Sequence, residues 1–361
     1  MGYSDREMII DAAFWKDKRV LVTGHTGFKG SWLCLWLHRI GALIVGYALP
    51  PPTKPSLFDM AHVYKLIEHQ VGDIRDFGAL KATMAEADPQ IVFHMAAQPL
   101  VGEAYAKPID TYETNVMGTA YLLEAARTCK NLRAVIVVTT DKCYENRELG
   151  CPFSESDPLG GHDPYSASKA CAEIITTSCR ESFFANETAA GIATVRAGNV
   201  IGGGDFAKDR IVPDVMRAWM SGEPVTLRDP FAIRPWQEVL EPLGGYLFLA
   251  QKLSADPKGY SEAFNFGPNP DGCLKVGELA SMLCERLDIH CEYNSSVPFH
   301  EVGVLRLNSQ KARNRLGWHP IFTLEETIDF IARFALSMRA DEDIHRLCVS
   351  RIDTYMSRLS A

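Results

Sequence analysis

Tyr165 and Lys169 stand four residues apart in Asp-Pro-Tyr165-Ser-Ala-Ser-Lys169. In a helix that spacing puts both on one face, one turn apart. A tyrosine ordinarily ionises near pH ~10, and an ammonium held beside it favours the phenolate and lowers that value. Such a phenolate can take the proton of an alcohol while a hydride leaves the same carbon. The run Ala-Val-Ile-Val-Val-Thr-Thr, residues 134–140, reads as a strand and leads directly into Asp141-Lys142. Thr140, at that strand end, is placed to orient the alcohol. A solvated Tyr and Lys on an amphipathic helix would explain the pair alone, but not the pair together with Thr140, Asp141 and Lys142.

A hydride needs an acceptor, and a second cluster supplies a place for one. Gly24, Gly27 and Gly30 lie in Thr23-Gly24-His25-Thr26-Gly27-Phe28-Lys29-Gly30-Ser31, between a strand-like run and a helix-compatible segment. Without Cβ they allow a tight turn and bring backbone amides to a pyrophosphate at a helix N-terminus. We expect Gly24, Thr26, Gly27, Phe28, Lys29 and Gly30 to hold a dinucleotide. Asp73 can bond an adenine amine and Ile74 can pack on its ring, while Ala96, Ala97 and Gln98 follow a fourth strand and let backbone approach the cofactor. His94 reads as a packed strand residue. The second strand ends in Tyr47-Ala48-Leu49-Pro50, without the acid that often holds the ribose hydroxyls. Lys29 or Lys54 can accept a 2′-phosphate or simply sit on solvated loops, so the residues alone leave NAD and NADP open.

The elements that must position these groups follow a regular rhythm. Short apolar runs, Arg19 to Thr23, Leu43 to Ala48, His69 to Gly72, Ile91 to Met95, Ala134 to Thr139 and Ile192 to Val195, alternate with helical stretches. That is an α/β pattern: a doubly wound parallel sheet, the Rossmann arrangement. After Arg196 the rhythm becomes irregular, with helices at 211–220 and 241–253, a strand at 224–227 and a closing helix at 324–334. We expect a smaller, interleaved C-terminal substrate-binding lobe. The dinucleotide domain is placed at 1–198 plus about 235–260, the lobe at 199–234 plus about 261–340, and a tail at 341–361. The proline cluster Pro50-Pro51-Pro52 reads as a stiff loop.

Composition narrows the partners. The 361 residues are 47% apolar and 23% charged, with net charge −8 and pI near 5.7. That balance argues against a nucleic-acid partner. No run is long enough to cross a bilayer, and the N-terminus, acidic early and without an apolar segment, does not read as a signal peptide. Ten scattered cysteines without CxxC or a Cys/His cluster read as reduced thiols of a cytoplasmic protein, with no metal signalled.

The chain resembles the extended short-chain dehydrogenase/reductases, and within them the sugar-nucleotide 4,6-dehydratases, most closely those acting on CDP-glucose. The segments carrying the resemblance span nearly the whole chain: GHTGFKGSW (24–32), KPSLF (54–58), GDIRDF (72–77), FHMAAQPLV (93–101), TNVMGT (114–119), TDKCYENRE (140–148), DPYSASK (163–169), VRAGNVIGGGDFAKDR (195–210), IRPWQEVLEPLGGY (233–246), FNFGP (264–268) and LGWHP (316–320). The dTDP-glucose enzymes have Asp-Glu where this chain has Asp141-Lys142. Two positions depart from the CDP-glucose pattern: Gly102, where Arg is usual, and the Leu149–Phe153 loop, usually aromatic-rich.

The resemblance implies bound NAD, Tyr165 as a phenolate removing the C4 hydroxyl proton, Thr140 orienting it and Lys169 holding the phenolate. It implies that Asp141, kept protonated by burial, protonates the departing C6 hydroxyl, while Lys142 serves either as the C5 base or as a charge on the enolate. Asn199, Arg210 and Arg234 are candidates for the sugar nucleotide, Arg234 as a bidentate pyrophosphate clamp. Trp236 can stack on a base, although a core position suits it better; Cys143 and Tyr144 read as packing groups, and Asn115 as a backbone brace. A homodimer through a four-helix bundle of the 105–127 and 165–184 helices is implied, as is a product destined for O-antigen lipopolysaccharide or related surface polysaccharide. A 4-epimerase would use the same Tyr/Lys pair without needing an acid to expel water. A non-catalytic dinucleotide sensor would need neither Tyr165 nor Lys169.

Overall fold

A computed structural model describes residues 8–146, 150–186, 190–227, 229–293 and 304–360. Arg147, Glu148 and Leu149, which belong to two of the segments singled out above, lie outside the described residues.

Seven strands form the main sheet: β1 (Arg19–Thr23), β2 (Leu43–Ala48), β3 (Glu68–Val71), β4 (Ile91–His94), β5 (Ala134–Val138), β6 (Gly191–Ala197) and, later in the chain, β10 (Ala263–Phe266). They run in the order β10-β6-β5-β4-β1-β2-β3, every pair parallel. Both faces are covered, and strand alternation shows it. Val20 and Val22 of β1, with Ile136 of β5, enter a large core containing Trp32, Trp36 and Leu243. Leu21, Val135 and Val137 enter the opposite one with Leu80 and Leu122.

Strand order reverses between β1 and β4, since successive strands are added outward from β1 to β3 on one side and from β4 to β10 on the other. In open α/β sheets the crevice at that reversal is where ligands bind. Here the glycine loop after β1 and the Met95–Ala97 segment after β4 face each other across it.

A smaller sheet sits beyond these strand ends: β7 (Asn199–Ile201), β9 (Ile233–Glu238) and β11 (Cys273–Lys275), with β9 central. A third sheet pairs β8 (Val225–Leu227) with β12 (Cys291–Tyr293). Two strands fall differently from the sequence boundaries. β10 lies within the 261–340 stretch expected in the lobe, yet it closes the main sheet beside β6. β9, Ile233–Glu238, straddles the expected boundary between the lobe stretch 199–234 and the sheet-domain stretch 235–260, yet all of it pairs with β7 and β11. The 341–361 stretch carries the helix Ile344–Leu359, docked on Phe28–Arg39 with the Tyr355 and Trp36 rings 5.1 Å apart.

The expected 105–127 helix is broken once, at Lys107, and carries a π-helical turn beyond the break. Lys107 leaves helical geometry, at φ −136° and ψ 69°, before Pro108, which starts a new helix, and a π-helical turn spans Glu113–Met117. All ten cysteines are free. No helix among the described residues is long and apolar enough to cross a membrane.

Candidate active site

The glycine loop is fixed by close approach. Gly24 has φ +74°, and a Cβ on it would lie 2.7 Å from the Ala96 amide nitrogen; one on Gly30 would lie 2.2 Å from the Gly24 carbonyl oxygen. Only glycine fits either place. The helix Phe28–Arg39 starts with Gly27 as N-cap and no side chain capping it, so its first N–H groups remain available to an anion. The resulting cradle opens on a cavity of about 890 Å³. Its volume is within the range of small-molecule and cofactor sites.

Every sequence-predicted site residue except Gln98 lines that cavity. At one end are Thr26, Gly27, Asp73, Ile74, Ala96 and Ala97; at the other are Thr140, Asp141, Lys142, Tyr165, Lys169, Asn199, Arg210 and Arg234. Gln98 turns away. Its amide donates to the Leu100 carbonyl and the Thr111 hydroxyl, and its backbone N–H reaches Asn115 Oδ1 at 2.8 Å. Gln98 is a loop brace because Thr111 and Asn115 arrive from a helix far along the chain. Asn115 braces as expected, donating from Nδ2 to the Gln98 carbonyl and to Ser168. The Asp73 carboxylate is already held by Arg75, with Nη2 at 2.7 Å.

Lys29 is the larger surprise. Its side chain lies 5.7 Å from the Tyr246 ring centre and faces Lys169, Arg210 and Asp141, so it belongs to the catalytic end and not to a ribose. Burial, then the nearby Lys169 and Arg210 cations, pull its ammonium down to about 7. Lys54 does line the cavity, beside Leu49 and Pro52. His94 is a packed residue: Nδ1 meets the Thr23 hydroxyl at 2.8 Å and Nε2 meets Thr119 at 3.1 Å. Trp236 is buried, with Nε1 donating to the Leu274 carbonyl. Tyr144 stacks on Phe153 at 4.8 Å, and Cys143 is fully buried.

The catalytic helix Pro164–Phe183 begins as its sequence dictates. Asp163 caps it by accepting from the Ser166 N–H at 3.0 Å, and Pro164 takes the first helical position. Tyr165 and Lys169 are thereby held on one face beside the end of β5. The expected effect of Lys169 on Tyr165 is not what the geometry gives. Lys169 Nζ donates instead to the Val138 carbonyl at 3.1 Å, and burial pushes the Tyr165 phenol up to about 12, against the pull of Thr140 and Arg210. Burial also draws Lys169 down to about 8, with Glu173 opposing it.

Thr140 caps a 3₁₀ turn, Asp141–Cys143, that carries the acid and the amine. The Thr140 hydroxyl donates to Asp141 Oδ1 at 3.0 Å, while Oδ2 is buried without a partner. Burial raises the Asp141 carboxyl to about 6, outweighing Lys142, Thr140 and Arg234. A carboxyl so displaced can be switched near neutrality, which suits an acid. Arg234 is buried and donates to the Ile233 carbonyl; Arg210 bonds Asp205 at 2.9 Å. Gly102 lines the cavity opposite Asp209, whose Oδ2 would be 3.5 Å from a Cβ there.

One buried pair escaped the sequence reading. Glu173, one turn beyond Lys169, binds the Arg196 guanidinium of β6 at 2.9 and 2.8 Å and accepts from Thr139 and Thr194. Glu173 lies on the same helix face as Tyr165 and Lys169, which was the available signal; its partner on β6 was not legible.

A family model described as GDP-mannose 4,6 dehydratase matches residues 21–331. A CDP-glucose 4,6-dehydratase of Salmonella typhimurium is 47% identical, over 97% of this chain and 99% of its own. A dTDP-glucose 4,6-dehydratase of Xanthomonas campestris pv. campestris is 26% identical, over 85% of this chain and 90% of its own. Among solved structures, a UDP-glucose 4-epimerase of Thermotoga maritima superposes with TM-score 0.78 at 23% identity, over 89% of this chain and 99% of that one. At that identity the fold is what the two share. The match over 21–331, carried by a chain whose cavity brings a glycine cradle to Thr140, Asp141, Tyr165 and Lys169, places this protein in the GDP-mannose 4,6-dehydratase family.

Proposed function

We propose that this protein is an NAD-dependent hydro-lyase that converts CDP-glucose to CDP-4-keto-6-deoxyglucose. The observation that carries this reading is the 47% identity, over nearly the full length of both chains, to a CDP-glucose 4,6-dehydratase. The cavity supports it by bringing an acid and an amine, Asp141 and Lys142, to a Tyr/Lys pair. An epimerase has no step that calls for the acid.

NAD fits the glycine cradle, with Gly24, Thr26, Gly27 and Gly30 around the pyrophosphate and Asp73, Ile74, Ala96 and Ala97 toward the adenosine. A dTDP-glucose 4,6-dehydratase of Bacillus anthracis, TM-score 0.74 at 21% identity over 90% of this chain and 99% of its own, was solved with NAD. Bound NAD would supply the acceptor for the C4 hydride and the donor that reduces C6. The chain does the rest. Tyr165 accepts the C4 hydroxyl proton and Thr140 orients that hydroxyl. The ketone acidifies C5–H, which Lys142 removes when neutral, or whose enolate it stabilises when charged. Asp141 protonates the C6 hydroxyl so that it leaves as water. Lys169 holds the nicotinamide ribose and the electrostatics at Tyr165, while Arg234, Arg210 and Asn199 hold the sugar nucleotide.

The dinucleotide half comprises the main sheet, and the lobe is built on β7, β9 and β11. The protein forms a homodimer through a four-helix bundle of the 105–127 and 165–184 helices. Exposed Tyr105, Ile109, Met117, Ile174 and Phe183 on those helices support it. The product is a precursor of deoxysugars for surface polysaccharide such as O-antigen lipopolysaccharide, made in the cytoplasm. Incubation with CDP-glucose, followed by alkali, tests the reading through the near-ultraviolet chromophore of 4-keto-6-deoxy sugars. Chromophore from CDP-glucose, and not from UDP-, dTDP- or GDP-glucose, is the expected result. Recovery of a C4-epimerised sugar instead would overturn it.

A further inference from the structure

Tyr144 follows the Asp141–Cys143 turn directly and is 2% exposed, its ring stacked on Phe153 with the planes 5° from parallel. Phenylalanine would serve such a stack equally well, because a buried hydroxyl costs free energy unless it is bonded. Here the hydroxyl is bonded twice. It accepts from Arg196 Nη1 at 2.8 Å and donates to Asn265 Oδ1 at 2.7 Å. Arg196 and Asn265 are register partners on the adjacent strands β6 and β10, so the phenol is tied to the main sheet itself. Both partners are held in turn: Arg196 by Glu173, and Asn265 by donating to the Phe153 and Asn308 carbonyls.

The other end of the turn leads to the same ion pair. Thr139 donates from its hydroxyl to Glu173 Oε1 and from its backbone N–H to the Val195 carbonyl at 2.9 Å. Thr140, Asp141, Lys142 and Cys143 are thus bracketed by two side chains, Thr139 and Tyr144, that both end on Glu173–Arg196. Inside the brackets the turn holds itself weakly. The Lys142 N–H reaches Thr140 Oγ1, and the Cys143 N–H the Thr140 carbonyl, only at 3.4 Å each. Bonds that long are past the usual N–H···O range, so the position of the turn is set from its two ends.

We propose that Tyr144 is a positioning residue for the elimination step: its hydroxyl, held between Arg196 and Asn265, fixes where the turn presents Asp141 to the C6 hydroxyl and Lys142 to C5. Its reach is one-sided. Tyr165 and Lys169 are fixed by their own helix, and Thr140 stays beside the Thr139 anchor. Loss of the Tyr144 hydroxyl therefore frees the acid and the amine while leaving the groups that oxidise C4 in place.

This inference rests on the dehydratase reading, and its test separates the two. Wild type and Tyr144→Phe are mixed with CDP-glucose in single turnovers and quenched with sodium borodeuteride, which labels C4 of any ketone. Ketone that keeps its C6 hydroxyl is recovered as labelled hexose, and ketone that has lost water as labelled 6-deoxyhexose. Tyr144→Phe should form ketone within about threefold of the wild-type rate and lose water at least about tenfold more slowly, so that labelled hexose accumulates. Equal slowing of both steps, or of neither, would overturn the proposal. Asn265→Ala removes the acceptor of the same hydroxyl and should give the same split, which keeps the test open if Tyr144→Phe does not fold. Phe153→Leu deletes the stacked ring and spares both hydroxyl bonds; hexose accumulating there to the same extent would assign the effect to packing and overturn the role of the hydroxyl.

A further readout needs neither cofactor nor substrate. In hydrogen–deuterium exchange of the unliganded protein, Tyr144→Phe should speed the Lys142 and Cys143 amides at least about tenfold and leave amides 169–176 of the catalytic helix unchanged. Equal acceleration of both segments would mean general loosening and would overturn the proposal. Failure of the dehydratase reading looks different, since wild type itself would then give no labelled 6-deoxyhexose.

Discussion

Two buried polar clusters lie two helical turns apart on the Pro164–Phe183 helix, and they are built on opposite plans. Around Glu173 every charge is answered: Arg196 meets it with two nitrogens, and Thr139 and Thr194 donate to the remaining lone pairs. Burial alone would push the Glu173 carboxyl up, but Arg196 and the two threonines outweigh it and hold it below the usual range. Around Tyr165 the opposite holds. Asp141 Oδ2 has no partner, and Asp141, Lys169 and Lys29 are all displaced toward neutrality. A satisfied network fixes geometry, whereas an unsatisfied one stores the capacity to move protons. The fold uses the first to hold the second in place.

The sharpest way to break this contrast is at Glu173. Glu173→Gln should leave Arg196 buried without its counter-charge and cost about 3–5 kcal/mol of stability. Denaturant unfolding of the apo protein measures it, and a loss under about 1 kcal/mol would mean the pair is not the anchor described. Tyr165→Phe should do the reverse: turnover of CDP-glucose falls about a hundred- to thousand-fold while the unfolding midpoint hardly moves. A comparable loss of stability would make Tyr165 a structural residue.

Asp141 ties chemistry to stability. Its folded value, about 6, is above the ordinary 3.8, so between those values the folded protein binds this proton more tightly than the unfolded chain. Stability contributed by that proton is present below about pH 4, is lost as pH rises through about 6, and stays lost above it. Asp141→Asn cannot ionise and escapes the loss. It should therefore exceed wild type by roughly 2–3 kcal/mol at neutral pH and converge with it near pH ~4, while dehydratase activity collapses. Denaturant midpoints across pH check this directly; a constant difference would show that burial does not strain the carboxylate.

Much of this was legible in the chain because it is local. The 163–169 segment carries its own N-cap, N1 proline and helical spacing, and these alone put Tyr165 and Lys169 on one helix face. The β1 glycines and the short apolar runs likewise announce a doubly wound sheet. What escaped depends on distant neighbours. Arg196 meets Glu173 only because the Pro164–Phe183 helix packs on β6, and Gln98 turns away from the cavity only because Thr111 and Asn115 come to meet it. β10 is four residues long and lies between the lobe strands β9 and β11 in the chain, so no local period marks it as the seventh strand of the main sheet. The rise of Tyr165 is also non-local. Spacing brings a lysine near, but only the packed site reveals that burial outweighs its charge and that its nitrogen is already bonded to Val138.

The finest test of the contrast is one substitution made in both clusters. Thr194 donates to Glu173 Oε2 at 2.7 Å, and Thr140 donates to Asp141 Oδ1 at 3.0 Å. Valine keeps the shape of either side chain and deletes the hydroxyl. At Thr194 one acceptor site on an already ionised carboxylate is vacated while Arg196 still holds both oxygens. The expected cost is about 1–2 kcal/mol of stability, with turnover kept within about twofold. At Thr140 the same deletion removes a bond that steadies an ionised Asp141, so stability should change less and turnover far more. If Thr194→Val also abolished turnover, Glu173 would be acting on the chemistry through Lys169, whose ammonium it helps to keep charged. The separation into a holding cluster and a working cluster would then fail.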